Sequence, residues 1–219
     1  MKLRLRYRYF EAIEKRVWLL GTLTAVFLAF GGLAEIVPLF VAANSVQAPA
    51  NVKPYSALRL AGFETYVHNG CYLCHSQMIR HLGFETQRYG AASTAEESVY
   101  DRPFQWGSKR TGPDLARVGG KYSDEWQRAH LMDPRSVVPQ SNMPRYDWLA
   151  EKSINISDLQ GTMRAMRALG TPYTDEDIAN APKEVEGKTQ MDALIAYLQG
   201  LGIDNEPDRK PRVKEADQP

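Results

Sequence analysis

Cys71-Tyr72-Leu73-Cys74-His75 is a C-x-x-C-H box, the pattern that attaches a c-type haem. Its spacing follows from the chemistry. Two thiols three residues apart reach the two vinyl groups of one porphyrin and become thioethers. His75 then lies beneath the macrocycle as the proximal iron ligand. The chain holds 2 cysteines, so it can carry one such haem and no second. A structural zinc site would need a matching second Cys/His pair, which the sequence lacks. A redox dithiol belongs in a strand–helix context that this segment, bounded by Gly70, does not offer.

Upstream of the box the charge is unevenly spread. The net charge of the 219 residues is +1, which gives no reason to expect nucleic acid. Residues 1–16 nevertheless hold Lys2, Arg4, Arg6, Arg8, Lys15 and Arg16 against Glu11 and Glu14, a net of +4. From Val17 to Ala34 there is no charge, and from Val17 to Ala43 only Glu35. At about 1.5 Å per residue this stretch is long enough to cross a bilayer. A cleaved signal peptide is the alternative, with Ala48-Pro49-Ala50 resembling a cleavage site. The apolar run exceeds a normal signal-peptide core, so a retained anchor over 17–43 is expected. Positive charge stays inside, which makes residues 1–16 cytoplasmic and exports the rest. Glu35 and Pro38 fall near the outer end, where an interfacial carboxylate and a kink or helix end are expected.

Beyond a linker over 44–54, residues 55–203 form the expected haem domain. A helix is expected from Tyr55 to Gly70, with Leu58, Ala61, Gly62, Thr65 and Tyr66 on one face. The last helix is expected over about Lys188 to Leu201, where Met191, Leu194, Ile195 and Leu198 repeat at helical spacing. Ser123 can cap a helix that stops at Asp133-Pro134, and Ser157-Asp158 can open another that ends at Gly170. Residues 83–108 read as a long insertion with little periodicity, of the kind that is functional or contacts partners. Residues 204–219 read as a disordered tail.

Gly62 and Tyr66, with Leu194 and Tyr197, resemble the helix crossing of the class I cytochrome c domain. The expected fold is therefore mainly α: one N-terminal transmembrane helix followed by a class I cytochrome c domain with a long insertion. An electron-transfer haem is normally six-coordinate. His68, Met78 and His81 lie too close to the box to cross to the other face, and His130 and Met132 fall within a helix. Met163, Met166 and Met191 suit core packing. Met143, 68 residues after His75 in Ser141-Asn142-Met143-Pro144, lies in an extended, proline-bounded segment like the distal loop of cytochromes c. It is the expected distal ligand, with a histidine or an open position as the alternatives. Thr111-Gly112-Pro113-Asp114-Leu115 resembles the cytochrome segment whose proline carbonyl orients the proximal histidine, so Pro113 is the expected acceptor for His75. Arg80, Lys109 and Arg110 could pair with haem propionates.

Three longer runs carry a narrower resemblance. These are Cys71 through Arg80, Glu97-Ser98-Val99-Tyr100-Asp101, and Trp106 through Ser123. With Glu35-Ile36-Val37-Pro38-Leu39-Phe40 and Val138-Pro139…Ser141-Asn142-Met143-Pro144, they resemble the mono-haem cytochrome c subunit of cbb3-type cytochrome c oxidases. The resemblance implies a subunit of a proton-pumping terminal oxidase of the bacterial inner membrane, with its haem domain periplasmic. Its partners would be a catalytic membrane subunit with haem b and a haem b3–copper site, a di-haem cytochrome c subunit, and a soluble cytochrome c. The chain would relay electrons to haem b and reduce no oxygen itself. A calcium ion at a subunit interface, touched by Ser108, is also implied. The alternatives are the cytochrome c subunit of a nitric oxide reductase and a haem-based gas sensor, which would need an open distal position.

Overall fold

The computed structural model describes residues 10–43, 46, 48–49, 52–107 and 109–203. The expectations for Ser108, for the basic residues before Phe10 and for the tail over 204–219 concern residues outside those described. The chain divides into two compact units, Met1–Gln47 and Ala48–Pro219. It is mainly helical. Among the described residues there is no strand, only an isolated bridge between Ser153 and Thr189.

The first unit contains α1, Val17–Ala43. Its Val17–Pro38 portion, 22 residues of mean hydropathy 1.9 with no part buried, is long and apolar enough to cross a membrane. Pro38 does not end the helix, which continues to Ala43.

The second unit is assembled around two helices far apart in sequence. In α2, Ala57–His68, the Ser56 hydroxyl accepts from the Arg59 amide. In α8, Gln190–Gly200, Thr189 and Asp192 exchange bonds in a capping box. The two cross at Gly62, where a Cβ would lie 2.0 Å from the Ala193 carbonyl oxygen. Only glycine allows that approach. Tyr66, Leu60, Met191, Leu194 and Tyr197 are buried around the crossing. Each such side chain contributes about 1.5–3 kcal/mol of apolar burial. Tyr197 meets the rings of Phe63, Tyr55 and Tyr66 at 5.7, 5.7 and 5.6 Å.

Among the described residues, five further α-helices lie between these two in the chain. Ser123 caps α4, Asp124–Met132, after α3, Gly83–Tyr89. The one-turn α5, Pro134–Val137, begins at the proline that stops α4. Asn155, rather than Ser157, caps α6, Ile156–Ala168, so this helix opens earlier than expected. The fifth, α7, Asp175–Val185, was not anticipated, because Pro182 inside it reads as a breaker. Its start signal is nevertheless strong, a Thr174–Asp177 capping box. This helix is structurally engaged: Glu184 accepts from the Ala57 and Leu58 amides, both at 3.1 Å, and so caps α2 from outside.

The 83–108 segment is fastened to this frame by polar side chains rather than an apolar stripe. Glu85 in α3 is fully buried between Arg80 and Arg110. Arg117 holds Glu97 in a two-pronged ion pair at 2.7 and 2.8 Å. The Ser93 hydroxyl accepts from the Ile79 amide at 3.0 Å.

Candidate metal centre

The box is a single 3₁₀ turn, Cys71–Leu73, directly after α2. The Cys71 carbonyl accepts from the amides of Cys74 and His75 at 3.2 and 3.0 Å. This turn sets both thiols and the imidazole on one short stretch of backbone. Both cysteines are free, with Cys74 exposed and Cys71 half-buried. Burial pushes the Cys71 thiol up to about 11, so it stays protonated.

His75 is oriented from behind. Its Nδ1 is 2.8 Å from the Pro113 carbonyl oxygen and donates to it, which leaves Nε2 to a metal. The neighbouring Gly112 is packed so closely that a Cβ there would lie 2.3 Å from His75 Cε1. Burial lowers the His75 pKa, opposed by the Pro113 bond and the Asp114 charge. The neutral, ligating imidazole is thereby favoured. The Gly112 amide donates to the Cys74 carbonyl at 3.0 Å, and the Leu115 amide to the Ser76 carbonyl at 2.8 Å. The 111–115 segment is thus bound to the box along its length.

Asp114 ties this segment to the insertion. Its carboxylate accepts from the Ser76 hydroxyl at 2.6 Å and the Met78 amide at 3.1 Å. Arg110 donates to Ser76, the Met78 carbonyl, Glu85 and Asp114 at 2.7, 2.9, 2.8 and 3.3 Å. Arg110, and then Arg80, hold the Glu85 carboxyl down at about 2. Lys109 is exposed. Sequence reasoning did not anticipate Glu85 or Ser76. A buried carboxylate leaves no periodic trace, although two arginines near Glu85 were visible.

Met143 is half-buried and, like Cys71, packs against the apolar core. Its amide is bound by the Ser141 hydroxyl at 3.2 Å. Tyr146, three residues after Met143, and His130 on α4 lie within electrostatic reach of the box. Tyr146 has its pKa raised by burial and by the Cys71 and Cys74 thiols, and its amide donates to the Leu131 carbonyl at 2.8 Å. His130, on α4, is lowered by burial and by His75. It stacks on Trp126 at 4.8 Å, and Trp126 on Tyr122 at 3.9 Å. Tyr146 was not singled out from the sequence.

The residues present fit a c-type haem: two free thiols three residues apart, a histidine fixed by its far nitrogen, and a half-buried thioether three residues before Tyr146, which lies within electrostatic reach of both thiols. Among the described residues, no group of three or more His, Cys, Asp or Glu could hold another metal ion. A family model described as cytochrome c oxidase, mono-heme subunit/FixO, matches residues 10–190. A comparison with curated proteins finds no match.

Proposed function

We propose that the chain, which belongs to the cytochrome c oxidase mono-heme subunit/FixO family, relays electrons to the oxygen-reducing subunit of its complex and performs no oxygen chemistry itself. The observation that carries this reading is the Pro113–His75 bond beside two free thiols. Cys71 and Cys74 would form the two thioethers, and His75 Nε2 and Met143 Sδ would be the axial ligands. Bound there, the haem supplies reversible one-electron chemistry.

The residues around it have separable roles. Pro113 keeps the proton on His75 Nδ1, and Gly112 holds the ring plane. Ser141 and Pro144 restrict the Met143 loop, which would keep the thioether in place as the second ligand to the haem. Lys109 is the exposed cation available to propionates, whereas Arg80 is paired with Glu85. Arg110 already serves four acceptors, and a propionate would have to replace one.

The finer setting rests on the resemblance: a cbb3-type, proton-pumping oxidase, haem b of its catalytic subunit as acceptor, and a di-haem subunit or a soluble cytochrome c as donor. So do anchoring in the bacterial inner membrane with a periplasmic haem domain, and an interface calcium ion at Ser108. Support for the anchor comes from α1 and the basic residues before it.

Met143→His in the assembled complex tests the relay. The oxidised spectrum should lose its sulfur-to-iron band, and the potential should fall, because Met/His ligation raises it. Oxygen consumption driven by reduced cytochrome c should drop at least tenfold, while carbon monoxide still binds the catalytic subunit. Normal turnover with this haem unreduced would make the chain an assembly or anchoring subunit instead.

A further inference from the structure

Between the insertion and the α2–α8 crossing lies a cavity of about 220 Å³. Asp101, Tyr55, Gln105, Gln77, Met78 and Trp106 are among the residues around it. It opens to solvent, and polar groups line part of its mostly apolar wall. Asp101 is 8% exposed, and its carboxylate accepts the Tyr55 hydroxyl at 2.6 Å. Two buried amide atoms at the cavity, Gln77 Nε2 and Gln105 Oε1, have no protein partner. Buried polar groups of this kind are normally satisfied by water. The volume is well above what a single water needs.

The cavity also adjoins the metal centre. Gln77 and Met78 follow His75 by two and three residues. The Gln77 amide donates to the Trp106 carbonyl at 2.9 Å, which joins the insertion to the segment after the box. The Tyr197 hydroxyl donates to Gln77 Oε1 at 3.0 Å. The Tyr197 ring lies between those of Tyr55 and Tyr66, and Tyr66 lies within electrostatic reach of both box thiols. Asp101 is thus connected to the box through Tyr55, Tyr197 and Gln77, and it interacts electrostatically with Tyr197 in a poorly solvated interior where charge acts over distance.

We propose that Asp101 is a redox-linked proton site: it takes a proton from the cavity when the haem gains an electron and gives it back when the electron leaves. The inference rests on the haem reading above. The balance is one electron from the donor onto iron and one proton from solvent onto a carboxylate oxygen, both reversed on oxidation. Burial raises the Asp101 carboxyl to about 7, opposed by the Tyr55 hydrogen bond and by the charges of Arg102 and Arg59. The other ionisable groups around the cavity are Lys53, Glu97, Tyr100 and, through the ring layer, Tyr197. Near a pKa of about 7, an added negative charge on the haem changes the proton occupancy of Asp101 most.

The test uses the full haem-loaded chain in detergent, titrated spectroelectrochemically from about pH 5.5 to about pH 8.5. The midpoint potential should fall with rising pH across neutrality, and Asp101→Asn should remove the slope. Tyr55→Phe should move it to higher pH, because the hydroxyl favours the ionised carboxylate. The reduced-minus-oxidised infrared spectrum of the wild type should gain a protonated carboxylic-acid carbonyl band. Should Asp101→Asn fail to fold, the infrared and Tyr55→Phe results decide. A potential flat with pH, or a slope unchanged by Asp101→Asn, overturns the proposal alone. Absence of covalent haem overturns the function reading as well.

Discussion

Glu85 is fully buried, yet Arg110 and Arg80 keep its carboxyl ionised and depressed to about 2. A carboxyl whose folded pKa is depressed stabilises the fold above its unfolded value of about 4.5 and loses that contribution as pH falls toward 2. Glu85→Gln should therefore lower the melting temperature at pH 7, and the gap to wild type should narrow steadily between about pH 4.5 and about pH 3. A gap independent of pH would assign the effect to shape rather than charge. At this scale the site residues differed in legibility. Cys71, Cys74 and His75 are fixed in mutual position by covalent neighbourhood, so spacing alone exposes their chemistry. Pro113 could be found only through a resemblance, because its role lies in a backbone carbonyl. Glu85, Ser76 and Asp101 act through burial, which short sequence windows do not display.

Helices α2 and α8 were readable because their apolar residues repeat at helical spacing and their crossing demands a small residue. Gly62 meets that demand. Alanine there would gain about 1 kcal/mol of helix propensity. Its Cβ would also lie 2.0 Å from a backbone oxygen and 2.7 Å from Tyr197 Cβ, and such overpacking costs about 1–3 kcal/mol or more. The second effect should win, and Gly62→Ala should destabilise the domain by about 2 kcal/mol in urea melts. Gly161 in α6 is the matched control, since a Cβ there meets nothing within 4 Å. Gly161→Ala should stabilise by roughly 0.5–1 kcal/mol. Equal effects at both positions would contradict the close crossing. Helices α3 and α7 escaped sequence reading for separate reasons. The first is held by Glu85 rather than an apolar stripe, and the second contains Pro182, which outweighed its capping box.

For the whole molecule, α1 and the basic residues before it predict one topology: N-terminus inside, haem domain outside. Protease added to spheroplasts should digest the chain beyond Asn44 and spare an N-terminal tag, whereas a protected haem domain would reverse the orientation. The fold class was legible as a whole because the anchor, the box and the two crossing helices each carry a local signature. The seat of the 83–108 segment was not, because it depends on ion pairs between residues up to 25 positions apart, such as Arg110 with Glu85. The central claim is that this chain carries one covalently attached haem on Cys71 and Cys74. The most direct measurement is the haem content of the denatured, electrophoresed chain, read as a pyridine haemochrome. One c-type haem per chain, retained in the wild type and lost in Cys71→Ser/Cys74→Ser, is the predicted result. Haem that leaves the wild-type chain in acid acetone would contradict it.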